Sequence, residues 1–137
     1  KGLQDGTIDI IATDHAPHHR DEKEIEYPLA ASGISGFETA FALCYTNLVT
    51  ENVISLVELV NKMSTIPARI FKIHGGTLEV GKAADIAIVN LKEEYTIDVQ
   101  GFYSKGKNNP FHGKKVKGKV VYTIVQGKVV YDDGKII

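Results

Sequence analysis

Seven consecutive residues, Thr13-Asp14-His15-Ala16-Pro17-His18-His19, form the one dense set of potential acid, base and metal-binding side chains in the chain. Their types suit metal-assisted hydrolysis. A carboxylate such as Asp14 can ligate zinc, accept a proton from an activated water and return it to a leaving nitrogen. A self-contained zinc site made from Asp14, His15, His18 and His19 is disfavoured, because closed sites usually draw their ligands from separated segments. The same residues also fit a plain structural role. Asp14 could cap the turn that follows it, and the three histidines could be exposed loop residues.

Chemistry at Asp14 depends on the elements that hold it. Ile8-Asp9-Ile10-Ile11-Ala12 is a short, β-rich apolar run after Gly6. Apolar residues on both of its faces predict a strand covered on both sides, as in a parallel sheet or barrel. Pro17, which has no N–H to give a ladder, ends the strand reading, so Asp14 falls at the strand's C-terminal end, where barrel enzymes place catalytic groups. The charged stretch Arg20-Asp21-Glu22-Lys23-Glu24-Ile25-Glu26 and the small residues Ala30-Ala31-Ser32-Gly33 then mark a surface loop.

Helices follow. Ser35 and Glu38 have capping-box spacing, with Phe37, Ala40, Phe41, Cys44 and Leu48 recurring on one face. Ser55 and Glu58 repeat the device ahead of Leu56, Leu59, Val60 and Met63. Pro67 suits the first turn of a third, short helix, which Gly75-Gly76 ends. Beyond Gly76 the period changes to that of strands, at Asp85-Ile86-Ala87-Ile88-Val89, at residues 116–125 and at Lys128-Val129-Val130-Tyr131. Gln126-Gly127 and Asp132-Asp133-Gly134 read as turns, and residues 104–113 as a loop. One covered strand followed by helices does not make a sheet. Its neighbours must come from residues outside this chain or from another chain, and the missing initiator methionine also suggests an internal segment of something longer.

Composition narrows the class. The 137 residues are 43% hydrophobic, enough for one packed domain, and no apolar run approaches a membrane span. Sixteen basic and seventeen acidic side chains leave a net charge of −1, which gives no electrostatic reason to expect nucleic acid or an anionic membrane as partner. The lysines around Phe111 read as a solvated loop and strand edge. The single cysteine, Cys44, lies on the apolar face of its helix and reads as core, and a cytoplasmic setting is the natural expectation.

Five motifs in order resemble the class I dihydroorotases of the amidohydrolase superfamily. Ala12-Thr13-Asp14-His15-Ala16-Pro17-His18 is similar to their last-strand signature, and Gly33-Ile34-Ser35-Gly36-Phe37-Glu38-Thr39-Ala40 to their Gly-Ile-Ser-Gly-Leu-Glu-Thr-Ala segment. Ile66-Pro67-Ala68-Arg69 resembles an Asn-Pro-Ala-Arg turn, and residues 76–85 the entry into a β-domain. Asn109-Pro110-Phe111-His112-Gly113, with Gly118-Lys119-Val120-Val121-Tyr122-Thr123, resembles the closing signature.

The resemblance implies a fold, a reaction and roles. Residues 1–74 would be the C-terminal segment of a TIM-like (β/α)8 metal-dependent hydrolase barrel, its last strand and helices. Residues 75–137 would be the C-terminal part of a small β-sandwich. A whole barrel takes about 250 residues, so this chain cannot contain one. The parent would reversibly cyclise N-carbamoyl-L-aspartate to L-dihydroorotate, in pyrimidine synthesis, with zinc. Asp14 would ligate metal and shuttle the proton. His18 would contact substrate oxygens, and the backbone at Ser32 and Gly33 would contact substrate, although Ala31-Ser32-Gly33 departs from the usual Pro-Phe-Gly. His15 is expected to be a packed or hydrogen-bonded loop residue and His19 to face solvent. The other zinc ligands have no counterpart here, so the chain alone is expected to be inactive and, with barrel-facing surfaces uncovered, to self-associate. The alternatives are another cyclic amidase (a dihydropyrimidinase or allantoinase), a catalytically dead scaffold subunit, and a free-standing β-rich binding module.

Overall fold

The alternating sequence beyond Gly81 folds as an antiparallel sheet in a computed structural model that describes all 137 residues. Strands β1 (Ile86–Thr96), β2 (Lys115–Val125), β3 (Lys128–Asp132) and β4 (Lys135–Ile136) lie in the order β1-β2-β3-β4. Register runs from Ile86 opposite Ile124 to Thr96 opposite Lys115. Both later hairpins close through two-residue loops in which each residue has positive φ, 49° and 80° at Gln126-Gly127, 33° and 102° at Asp133-Gly134. That twist matches the strands, as the sequence led us to expect. The first loop is also pinned to the start of β1, since the Gln126 N–H donates to the Asp85 carboxylate at 2.7 Å. Where β1 bulges between Asn90 and Glu94, Lys119 bonds both Glu93 and Asp133, at 3.1 and 2.8 Å, and ties the bulge to the last hairpin. This single sheet has no second sheet facing it, so the expected sandwich is not built by this chain.

Ahead of the sheet lie α1 (Arg20–Lys23), α2 (Ala40–Cys44), α3 (Leu56–Val60) and α4 (Ile66–Phe71). Helix α1 is one turn inside the predicted surface loop, capped by the His19 side chain and closed reciprocally by Glu22. Ser55 and Glu58 form the expected capping box on α3. The third helix is not separate. A π-helical turn, Asn61–Thr65, joins α3 directly to α4, and the Ile66 N–H reaches back five residues to Asn61. Pro67 has no N–H and its ring crowds the preceding turn, so a widened turn just before it accommodates the proline without ending the helix. The chain leaves α4 at Lys72, in left-handed conformation, ahead of the Gly75-Gly76 stop read from the sequence.

Two further expectations are corrected. Ser35 caps nothing: α2 starts at Ala40 after Thr39, which makes no side-chain cap bond. Ser35 is instead buried, its carbonyl accepting from Asn109 Nδ2 at 2.6 Å, while the Glu38 carboxylate accepts the N–H groups of Tyr103 and Ser104. Residues 8–12 form no strand, because no other strand in the chain pairs with them. The Ile11 N–H donates to the Lys62 carbonyl, and the buried Lys62 ammonium donates to the Ile8 carbonyl.

The main core lies between α2 and the sheet. Ala42 packs with Ile97, Val99 and Val116, flanked by Leu43, Tyr95, Phe102 and Phe111. Beyond it, large apolar side chains including Ile8, Phe37, Val57, Leu78 and Val80 stay exposed. No helix is long and apolar enough to cross a membrane.

Candidate active site

Asp14 has φ of +56°, a conformation few non-glycine residues adopt and one in which aspartate is enriched. A local bond favours it: the Asp14 carboxylate accepts the His15 N–H at 2.6 Å. A strap, residues 33–37, then holds the whole peptide. The Ala16 N–H donates to the Ile34 carbonyl at 2.9 Å. His15 Nδ1 accepts the N–H groups of Gly36 and Phe37, at 3.1 and 3.4 Å, and its ring stacks on Phe37 with centroids 4.0 Å apart. Acceptance at Nδ1 puts the ring proton of neutral His15 on Nε2. His15 is therefore the hydrogen-bonded loop residue expected of it.

Two glycines make this contact possible. A Cβ on Gly36 would lie 2.2 Å from the Asp14 carbonyl oxygen, and one on Gly33 (φ +118°) would lie 2.5 Å from the Ala16 Cβ. The strap touches the Asp14 backbone directly, and the Asp14 side chain remains exposed.

His18 is half-buried, with Nδ1 3.4 Å from the Glu22 carboxylate, and no hydrogen bond or ion pair joins it to Asp14. It lines a cleft of about 890 Å³ with Arg20, Lys23, Lys105 and Lys107, whereas Asp14, Ser32 and Gly33 lie outside that cleft. Ser32 is exposed. Gly33 meets the Asp14 peptide through Ala16, and its carbonyl is taken by the Lys23 ammonium at 2.9 Å. His19 is exposed, as expected, and serves α1 as its cap. Cys44 is half-buried and not part of the core cluster, and the partial burial pushes its thiol up, which disfavours the thiolate.

Nowhere do three His, Cys, Asp or Glu side chains come together in a way that could hold a metal ion. Asp14 offers one carboxylate, and a zinc centre needs three or four ligands. The residues of this chain therefore do not hold a catalytic metal by themselves.

Sequence reasoning missed Lys23, Glu38 and Asn109 as parts of this assembly. In the sequence Lys23 reads as one charge of a polar run, and Glu38 as half of a capping box. Asn109 stands in the closing motif, and nothing in the sequence beside Pro110 marks it as buried.

The model of the amidohydrolase family matches residues 1–130, and the chain belongs to that family. Within it, the sequence matches dihydroorotases. It is 56% identical over 130 residues to the dihydroorotase of Acetivibrio thermocellus and 55% over 135 residues to that of Caldanaerobacter subterraneus. Identity to the Bacillus subtilis dihydroorotase is 48% over 137 residues. These matches cover 95, 98 and 100% of this chain but 30, 31 and 32% of the relatives, so the chain spans about a third of their length. Solved structures agree on the family. The L-hydantoinase (dihydropyrimidinase) from Arthrobacter aurescens superposes with a TM-score of 0.92 at 35% identity, and the dihydropyrimidinase from Brevibacillus agri with 0.93 at 26%. Each covers 99% of this chain and 31% of the solved one.

Proposed function

We propose that this chain is a working segment of a cytoplasmic dihydroorotase, which interconverts N-carbamoyl-L-aspartate and L-dihydroorotate in pyrimidine synthesis. Asp14 carries the catalytic reading: its backbone is clamped in a rare conformation while its carboxylate, one oxygen of which accepts the His15 N–H, stays exposed. Rare backbone conformations held by surrounding contacts concentrate at functional sites. In this reading residues 1–74 belong to the hydrolase barrel and residues 75–137 to the β-sandwich, with the remaining strands of both supplied by sequence outside this chain.

Asp14 acts as the proton carrier. In hydrolysis the oxygen of water bonds to the ring amide carbon, Asp14 takes a proton from that water, and the C–N bond breaks as Asp14 delivers the proton to the departing nitrogen. His18 donates a hydrogen bond to substrate oxygens, and the backbone at Ser32 and Gly33 lines the same substrate. Zinc, held by Asp14 together with ligands from other segments, would supply the charge that makes water acidic. The apolar side chains left exposed here would be covered in the whole protein. The isolated chain therefore self-associates, and sedimentation should give an average mass that rises with concentration; a monomer throughout would count against it.

The likeness to hydantoinase structures supports a second reading, a cyclic amidase of that type. Assaying a full-length protein that contains this segment on L-dihydroorotate and on hydantoin separates the two. Turnover of dihydroorotate well above hydantoin is expected. The reverse preference would assign the hydantoinase type, and no turnover of either would point to a scaffold subunit.

A further inference from the structure

We infer that Lys23 is a positioning residue that presents the backbone N–H groups of Ser32 and Ile34 to the substrate. This rests on the reading of Ser32 and Gly33 as substrate-facing. The Lys23 ammonium donates to two carbonyls at once, those of Ala31 and Gly33. A third bond, from the Ala31 N–H to the Glu22 carbonyl at 3.0 Å, ties the same stretch to α1, and the His19 cap fixes that helix in turn.

The consequence follows from peptide geometry. In a trans peptide the C=O and the following N–H point in opposite directions. Holding the carbonyls of Ala31 and Gly33 on Lys23 therefore turns the N–H groups of Ser32 and Ile34 away from it. Neither of them, nor the Gly33 N–H, donates to any group in this chain. Two donors, the N–H groups of Ser32 and Ile34, are thus free on the side opposite the ammonium. A carbonyl bonded to a cation also polarises its own peptide unit, which strengthens the attached N–H as a donor. That is the arrangement suited to the carboxylate or carbonyl oxygens of an anionic substrate. Gly33 is also held by its close approach to Ala16, two residues from Asp14. Lys23 thereby sets the two donors relative to the proton carrier.

The test has two arms. In the 137-residue chain, Lys23→Met should shift the amide NMR resonances of residues 32–34 while leaving those of β1 to β4 in place; unmoved resonances at 32–34 would overturn the inference. In a full-length enzyme containing this segment, Lys23→Met should raise KM for dihydroorotate about 10- to 100-fold, the range for lost charge-assisted hydrogen bonds, with kcat changed less than about threefold. Aminoethylation of Lys23→Cys, which rebuilds an ammonium of nearly the same reach, should restore KM, with alkylated wild type as control. A wild-type KM in Lys23→Met, or a loss confined to kcat, would overturn the positioning role. Asp14→Asn assayed alongside separates the two claims. If it is inactive, a wild-type KM in Lys23→Met sinks this inference alone; if it is active, the site reading itself fails, and this inference with it.

Discussion

Alanine at position 36 should destabilise the fold by about 3 kcal/mol or more, the sum of an overpacking strain of roughly 1–3 kcal/mol and hydrogen bonds of about 1 kcal/mol each. The added methyl would sit 2.2 Å from the Asp14 carbonyl oxygen and 3.3 Å from that of Thr13. Both obstacles are backbone, so no side chain can swing aside. The strap has to lift, which breaks the bonds from Gly36 and Phe37 to His15 and strains the buried Ser35–Asn109 bond next to them. Lifting it also releases Asp14. Displacing a catalytic group by about 1 Å can reduce rate about 100-fold, so activity of the whole enzyme should fall with stability. Thermal unfolding of wild type and Gly36→Ala in the same background reads the first effect. A midpoint lowered by roughly 10 °C is expected for a domain of this size; a change within error would mean that the strap does not lie on Asp14 as described.

Asp14→Asn should do the opposite, removing activity and sparing the fold. Asparagine is isosteric, tolerates positive φ, and keeps an oxygen that can accept the His15 N–H. It cannot take a proton from water and pass it on. Loss of a positioned acid–base group typically lowers rate about 10²–10⁴-fold, and that is the expected drop in kcat for the full-length enzyme. Alanine would be a poorer probe, because an ordinary residue at this φ is strained by about 1–2 kcal/mol and a folding defect would confound the kinetics. Retention of more than a tenth of wild-type kcat by Asp14→Asn would remove Asp14 from the chemistry.

Legibility followed the distance between partners. The Ser55–Glu58 box and the two tight hairpins formed as read, because everything they need lies within a few residues. Ser35 and Glu38 have the same spacing yet were claimed by Tyr103, Ser104 and Asn109, partners that no local pattern reveals. Residues 8–12 have strand composition and no strand beside them. A strand is a property of a pair, and composition specifies one member. The Asp14 peptide was legible as a candidate for chemistry. What holds it was not, since Lys23 reaches eight and ten residues along the chain and the strap acts through the absence of side chains at Gly33 and Gly36. Asp14 itself shows why a motif and a site differ: the cluster of four candidate ligands in sequence is not a cluster in space.

Whether this segment contributes Asp14 to a site completed from outside the chain can be read from one preparation of the 137-residue chain. Its intact mass, zinc content and rate of dihydroorotate hydrolysis would be measured together. A mass matching the sequence with neither stoichiometric zinc nor turnover is the expected result. Tightly bound zinc with turnover at that mass would contradict the claim, and would mean that Asp14, His15, His18 and His19 assemble a working centre of their own, within one chain or between copies.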